Sequence, residues 1–378
     1  MLATLRRELQ IPVGWTAVAV SLLMGDRILA APGAVVELLL FVVLFAIILW
    51  GAFTVVRHAE EIAHRVGEPY GTLVLTMSVT VIEVSFIVVV MLDGPADATL
   101  ARDTVFAVLM ITLNGVAGLC ILLGGLRHSQ QTYNLEGARA FLAVIMPVSI
   151  FALVLPNFTT STPGPTLSFL QAGVLAVLVL LLYAVFLGIQ TIRHAGFFRD
   201  PAVAEPGNAG DQVDEPEFAD HETGAEEARS TGYHTVLLLL AILPVIVLTE
   251  QLAHIVHDGI EAAGAPLALG GVVVAILVLS PESMGALKAA VANKLQRSVN
   301  IALGSALATI GLTVPAVLAV SVWFGTHVTL GLPAEEMLLL MLTLVTCMLT
   351  FGGVRTNVLQ GAVHLVLFAV YVLLLFDP

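Results

Sequence analysis

Apolar runs of about twenty residues or more alternate with short polar breaks along most of this chain. A run of that length crosses a hydrocarbon core of ~30 Å as a helix. The runs are too long and too uniform for barrel strands, and helices satisfy their own backbone in lipid. The breaks predict eleven spans, at roughly 11–31, 35–56, 71–92, 104–126, 139–157, 166–192, 233–255, 267–288, 299–325, 335–353 and 357–376. Asp26 and Arg27 interrupt the end of the first. Arg6 and Arg7 ahead of the same stretch also fit a signal peptide, with a small-residue site near Ala30 and Ala31. Residues 196–232 break the pattern: they are rich in Gly, Pro and Glu without apolar periodicity, and predict a disordered loop.

Composition agrees with a polytopic membrane protein. Of 378 residues, 58% are hydrophobic and 11% charged, against about 25% charged in soluble domains. Lys and Arg then orient the spans. Thirteen of the fifteen lie at the amino terminus or in the loops after spans 2, 4, 6, 8 and 10, and only Arg27 and Arg102 lie on the opposite face. The bias predicts an inside amino terminus and an outside carboxyl terminus. The net charge is −13, of which the 196–232 loop carries −8. The remainder is mildly acidic, so no nucleic-acid role is expected. Cys120 and Cys347 both fall in spans and read as packing residues, without a disulfide or zinc framework.

Two glutamates interrupt the apolar pattern at depth. Glu83 lies in GTLVLTMSVTVIEVSFIVVVML and Glu282 in LGGVVVAILVLSPESMGALKAA. An ionisable group there costs roughly 2.5–3.5 kcal/mol or more, which points to a charged cargo. Superposing the two glutamates, an offset of 199 residues, sets span 2 near span 7, 3 on 8, 4 near 9, 5 on 10 and 6 on 11, and leaves span 1 without a counterpart. Repeats of five spans enter the membrane in opposite orientations. The expected fold is therefore all-α, with two inverted five-helix repeats plus one extra N-terminal helix, a recurring plan of secondary transporters. The expected units are an N-terminal helix at 1–34, a first repeat at 35–195, the acidic loop at 196–232 and a second repeat at 233–378.

Oxygen-bearing residues gather around both glutamates. Glu83 lies about 12 residues, or about 18 Å, into its span. Thr72, Thr76 and Thr80 precede it at intervals of four. Pro281 frees the carbonyl of Leu277, and Ser280 and Ser283 flank Glu282. Span 9 repeats Ser305, Thr309 and Thr313 every four residues, and span 4 supplies Thr112 and Asn114. Gly115, Gly118, Gly304 and Gly311 would let helices approach closely. Carboxylates, hydroxyls and a free carbonyl form the oxygen set that a hard cation such as Ca²⁺ requires. The candidate site is Glu83, Glu282, Thr80, Ser280, Ser283, Leu277, Asn114 and Thr309, with the two glutamates as the cation ligands. Glu61 and His64 match the Glu-x-x-His of di-iron bundles but sit in a loop without partner helices. Glu250, His254, His257 and Asp258 read as a solvated rim, His364 as a packing histidine, and the acidic loop with His221 as a linker.

These segments resemble a known family. RHAEEIAHRVGEPYGTLVLTMSVTVIEVSFI (57–87) resembles the first repeat of the bacterial ChaA-type calcium/proton antiporters of the calcium/cation antiporter superfamily. LSPESMGALKAAVANKLQRSVNIALGSALATIGLTVP (279–315) resembles their second repeat, and GGVRTNVLQGAVHLVLFAVY (352–371) their last helix. The resemblance implies export of cytoplasmic Ca²⁺, with Na⁺ or K⁺ as further candidates, in exchange for external H⁺ across a bacterial cytoplasmic membrane. It implies Glu83 and Glu282 as shared cation and proton ligands, with Ca²⁺ as substrate and no cofactor. Some relatives trimerise, so a homo-oligomer is compatible with it. Many vacuolar-type relatives read Gly-Asn-Ala-x-Glu at both sites; here the Asn positions hold Thr80 and Leu279, which leaves both halves without that amide. A channel would need no proton coupling. An intramembrane protease would need a Ser/His, paired Asp or zinc constellation, and the sequence offers no convincing one, so an enzyme is not expected.

Overall fold

The computed structural model describes residues 8–29, 33–67, 70–93, 99–199, 230–325 and 328–377. Arg6, Arg7, the small-residue site near Ala30 and Ala31, and most of the acidic loop lie outside them. The described residues hold eleven long helices, one for each span predicted from the sequence. They are α1 (Gln10–Leu29), α2 (Ala34–Val66), α3 (Tyr70–Asp93), α4 (Leu100–His128), α5 (Leu135–Leu153), α6 (Phe169–Arg193), α7 (Thr231–Ala262), α8 (Leu269–Val291), α9 (Leu295–Phe324), α10 (Ala334–Thr350) and α11 (Val358–Phe376). Eight are long and apolar enough to cross a membrane. The protein is an all-α polytopic membrane protein built from two inverted five-helix repeats behind one extra N-terminal helix.

Local chemistry sets several helix starts. Ser168 with Gln171 and Asn357 with Gln360 form capping boxes that open α6 and α11. A short antiparallel pairing of β1 (Gln131–Thr132) with β2 (Arg355–Thr356) ties the segment before α5 to the segment before α11.

The packing shows the repeat. α4 packs on α11 as α9 packs on α6, and α4 packs on α8 as α9 packs on α3. Both α4 and α9 widen into a π turn, at Ile111–Val116 and at Thr309–Thr313, almost the same distance apart as the two glutamates. Such wide turns recur at functional sites. The apolar window of α4 is 83% buried and that of α9 61%, against 28% for α2 and α11. The π-turn helices therefore form the centre, and the glutamate helices α3 and α8 lean on them.

Close approach at the centre depends on glycine at several positions, Gly118, Gly271, Gly311 and Gly361 among them. A Cβ on Gly271 of α8 would lie 2.7 Å from the Thr104 backbone nitrogen of α4. One on Gly118 of α4 would lie 2.8 Å from the His364 Cβ of α11. Gly115 and Gly304 meet only ordinary contact distances.

The unpaired helix α1 has its own role. Pro244 within α7 leaves the Leu240 carbonyl without its intrahelical donor. The Trp15 indole of α1 donates to that carbonyl at 3.1 Å.

Candidate cation and proton site

Glu83 sits on the face of α3 that meets the π turn of α9, and it is 3% exposed. The Thr309 hydroxyl donates to its Oε2 at 3.0 Å. Thr313, one turn on, places a buried hydroxyl beside the same carboxyl without closing a hydrogen bond. Among the described residues nothing donates to the other carboxyl oxygen, Oε1, which is also buried. Thr80 is buried one turn before Glu83. The side chain of Thr72 lies outside the described residues.

Glu282 projects from α8 immediately after Pro281, with one carboxyl oxygen buried and without a donor among the described residues. Ser305 of α9 stands beside it. The hydroxyl stripe of α9 thus serves both glutamates: Ser305 faces Glu282, while Thr309 and Thr313 face Glu83. The two carboxyls are close enough to interact electrostatically. Three buried oxygens, Glu83 Oε1, one of Glu282 and Thr313 Oγ1, have open acceptor capacity here. Buried polar atoms are rarely left so, because each carries a desolvation cost. A cation or protons would satisfy the carboxyl oxygens.

Other candidate residues are placed differently. Ser280 donates to the Ile276 carbonyl of its own helix at 2.5 Å. Ser283 is half-buried beside Glu282. The Leu277 side chain is buried, with its carbonyl opposite Pro281. Thr112 donates back to the Val108 carbonyl at 2.6 Å.

Asn114 is fully buried, but its amide is tied elsewhere. It donates to Thr343 Oγ1 at 2.8 Å, and its oxygen lies 3.0 Å from His364 Nδ1. His364 Nε2 lies 3.0 Å from Thr350 Oγ1. The network fixes α4, α10 and α11 together and makes His364 a bonded packing residue. Sequence reasoning did not single out Thr343 and Thr350. Their signal was present: Thr343, Thr346 and Thr350 lie on one face of an apolar helix.

The Glu61-x-x-His64 motif lies within α2 rather than in a loop, and half-buried Glu61 meets Arg65 one turn on at 3.7 Å. Arg102, one of the two bases on the sparse face, pairs with the buried Asp103 at 2.7 Å.

A family model described as sodium/calcium exchanger protein matches residues 36–192 and 233–376. The chain belongs to this family. The match covers α2–α6 and α7–α11 and leaves out α1 and the acidic loop. Among curated relatives, the exchanger-family chain is 40% identical over 329 residues to the sodium-potassium/proton antiporter ChaA of Escherichia coli (strain K12), covering 87% of this chain and 86% of that one. It is 27% identical over 263 residues to the Ca²⁺/H⁺ antiporter ChaA of Bacillus subtilis (strain 168), covering 68% and 69%. The solved structure of native YfkE superposes with a TM-score of 0.71 at 21% identity, covering 98% of this chain and 99% of that one, and so shares the fold.

Proposed function

We propose that this exchanger-family chain is a cation/proton antiporter in which Glu83 and Glu282 hold either a cation or protons. The observation that carries this is the pair of buried carboxyl oxygens without donors, one from each repeat, on either side of the α9 hydroxyl stripe. Membership of the family and the antiporter names of the relatives support ion exchange rather than an enzyme activity.

The mechanism follows from competition. A carboxyl away from water favours its neutral form, whereas a bound cation favours the carboxylate. One site therefore takes protons or cation, but not both. The doubly ionised empty site is costly, which discourages uncoupled return. The inverted repeats would expose the site to each face in turn. The basic-loop bias supports a cytoplasmic amino terminus, a cytoplasmic acidic loop and an external carboxyl terminus in a bacterial inner membrane.

Ca²⁺ is the first candidate cargo, because two carboxylates neutralise one divalent ion. Exchange for two protons is then electroneutral. Each uncompensated charge would cost about 2.3 kcal/mol per 100 mV, and a proton gradient supplies ~1.36 kcal/mol per proton per pH unit. Exchange of Na⁺ or K⁺ for H⁺ is the second reading. It is favoured by the 40% identity to the sodium-potassium/proton antiporter and by the orientation of Asn114 toward Thr343 and His364. Cation-driven dequenching of a pH dye in proteoliposomes, with Ca²⁺, Na⁺ and K⁺ tried singly, separates the two. A Ca²⁺ response supports the first, and a response to monovalent ions alone supports the second. No proton movement with any of them contradicts antiport.

A further inference from the structure

The end of the bundle that carries the basic loops holds a polar cluster built from three separate segments. Glu8 lies just before α1, Arg57 and His58 lie on α2, and His234 lies in the first turn of α7. His58 and His234 are 0% and 1% exposed. His58 Nε2 lies 3.1 Å from Glu8 Oε2, and Arg57 Nη2 donates to the same oxygen at 2.9 Å. His58 Nδ1 lies 3.1 Å from His234 Nδ1. Arg57 Nη2 also approaches His58 Nε2 at 3.3 Å, Tyr233 stands edge-on to the His234 ring, and Glu61 of α2 is turned toward Arg65.

Two imidazole nitrogens at this distance share one proton, so one donates and the other accepts. Burial pushes the Glu8 carboxyl up, but hydrogen bonds from His58 and Arg57, with their charge, outweigh it and hold Glu8 at about 2. Glu8 is therefore ionised wherever histidine titrates.

We propose that Glu8, His58 and His234 form a proton-operated clamp that slows exchange when the compartment on the basic-loop side turns acid. A proton added to the pair makes His58 an imidazolium that donates through both nitrogens, to Glu8 and to His234. The bond to Glu8, already made to a carboxylate, becomes a full ion pair, and the bond to His234 becomes charge-assisted, roughly twice as strong as a neutral one. The clamp then binds α2 to α7, the two repeat-equivalent helices, which pack against each other along an extended interface. Loss of the proton leaves only neutral bonding between the rings.

Among the described residues, the opposite end shows no such cluster. The offset of 199 residues places His257 at the counterpart of His58 and Val35 at that of His234. His257 meets Glu261 of its own helix at 4.0 Å, and Val35 is exposed. The pseudo-symmetry is broken here, so the clamp senses one side of the membrane.

As a regulator, the clamp rests on the antiporter reading; its proton binding does not. In everted membrane vesicles at saturating cation, competition at the carboxyl site is removed and the maximal rate reports the clamp. The wild-type rate should fall, by up to about tenfold per pH unit, as the bath is taken from alkaline to mildly acid pH. His58→Gln and His234→Gln should flatten that profile and keep the alkaline rate. Glu8→Gln, which removes the counter-charge, should move its midpoint to lower pH. Thermal unfolding of purified protein gives a readout without transport: the stability difference between wild type and His58→Gln should grow as pH falls through the same range. Histidine variants that keep the wild-type rate profile overturn the regulatory role, and parallel stability profiles overturn the clamp itself. If the wild type moves no protons with any cation, the antiporter reading fails, while the stability profiles still judge the clamp.

Discussion

Glu83 and Glu282 occupy matching positions in the two repeats, yet their surroundings differ. Glu83 is deeply buried and receives a hydrogen bond from the other repeat, through Thr309. Glu282 follows a proline, and its neighbour Ser305 lies in its own repeat. The counterpart region in α4 offers Thr112, whose hydroxyl bonds back to its own helix. The repeat therefore duplicates the scaffold and the charge but not the polar groups around it. α9 serves both carboxyls, and the corresponding Asn114 of α4 holds α10 and α11 instead.

The largest expected effect comes from removing either charge. Glu83→Gln and Glu282→Gln should each lose coupled exchange, because breaking a buried charged site costs about 3–5 kcal/mol, at least about 100-fold in affinity. Vesicle transport with a pH dye reads this. Coupled exchange surviving in only one of the two variants would mean that the repeats do not share the site.

The next effect tests the asymmetry itself. A hydrogen bond to a charged group is worth about 1.5–3 kcal/mol, so Thr309→Val should raise the cation KM about tenfold or more. Thr112→Val removes only a back-bond within its helix and should cost less than about 1 kcal/mol. Equal effects of the two substitutions would erase the distinction between α9 and α4.

The proline pair gives a smaller contrast. Pro281→Ala returns a donor to the Leu277 carbonyl and should weaken cation affinity by a few-fold, about the 0.5–1.5 kcal/mol of an ordinary hydrogen bond. Pro244→Ala should leave affinity unchanged, since Trp15 already satisfies the Leu240 carbonyl. Measured KM values for the two variants decide it.

The last contrast concerns Glu8 and is read in stability rather than transport. Its folded-state carboxyl, at about 2, lies below the ordinary 4.5. Its contribution is present above about pH 4.5 and lost as pH falls through about 2. Acid unfolding of detergent-solubilised Glu8→Gln should lack that loss, while wild type shows it.

Much of this architecture was legible in the sequence, for a physical reason. In lipid, apolar length locates the spans, so eleven runs became eleven helices, although α2 and α7 run several residues beyond the ends that hydropathy predicts. Glu83, Glu282 and the Ser305–Thr309–Thr313 stripe stood out because polar atoms at depth are costly. Partners were not legible. Periodicity gives the face of a helix but not the neighbour it meets, so Thr309 and Thr112 read alike. The π turns at Thr309–Thr313 and Ile111–Val116 also alter the register beyond any 3.6-residue count. Contacts across the whole chain, such as Trp15 to Leu240 or His58 to His234, left no local pattern.

The central claim is that protons and cation compete for one carboxyl pair. Initial rates of cation-driven proton movement in proteoliposomes, measured over a range of cation concentrations at several pH values on the cation side, test it most directly. The comparison is made in the His58→Gln background, where the clamp is absent. The account predicts that the cation KM rises steeply as pH falls while the maximal rate holds. A KM that stays constant while the maximal rate falls would contradict it, placing protons and cation at separate sites.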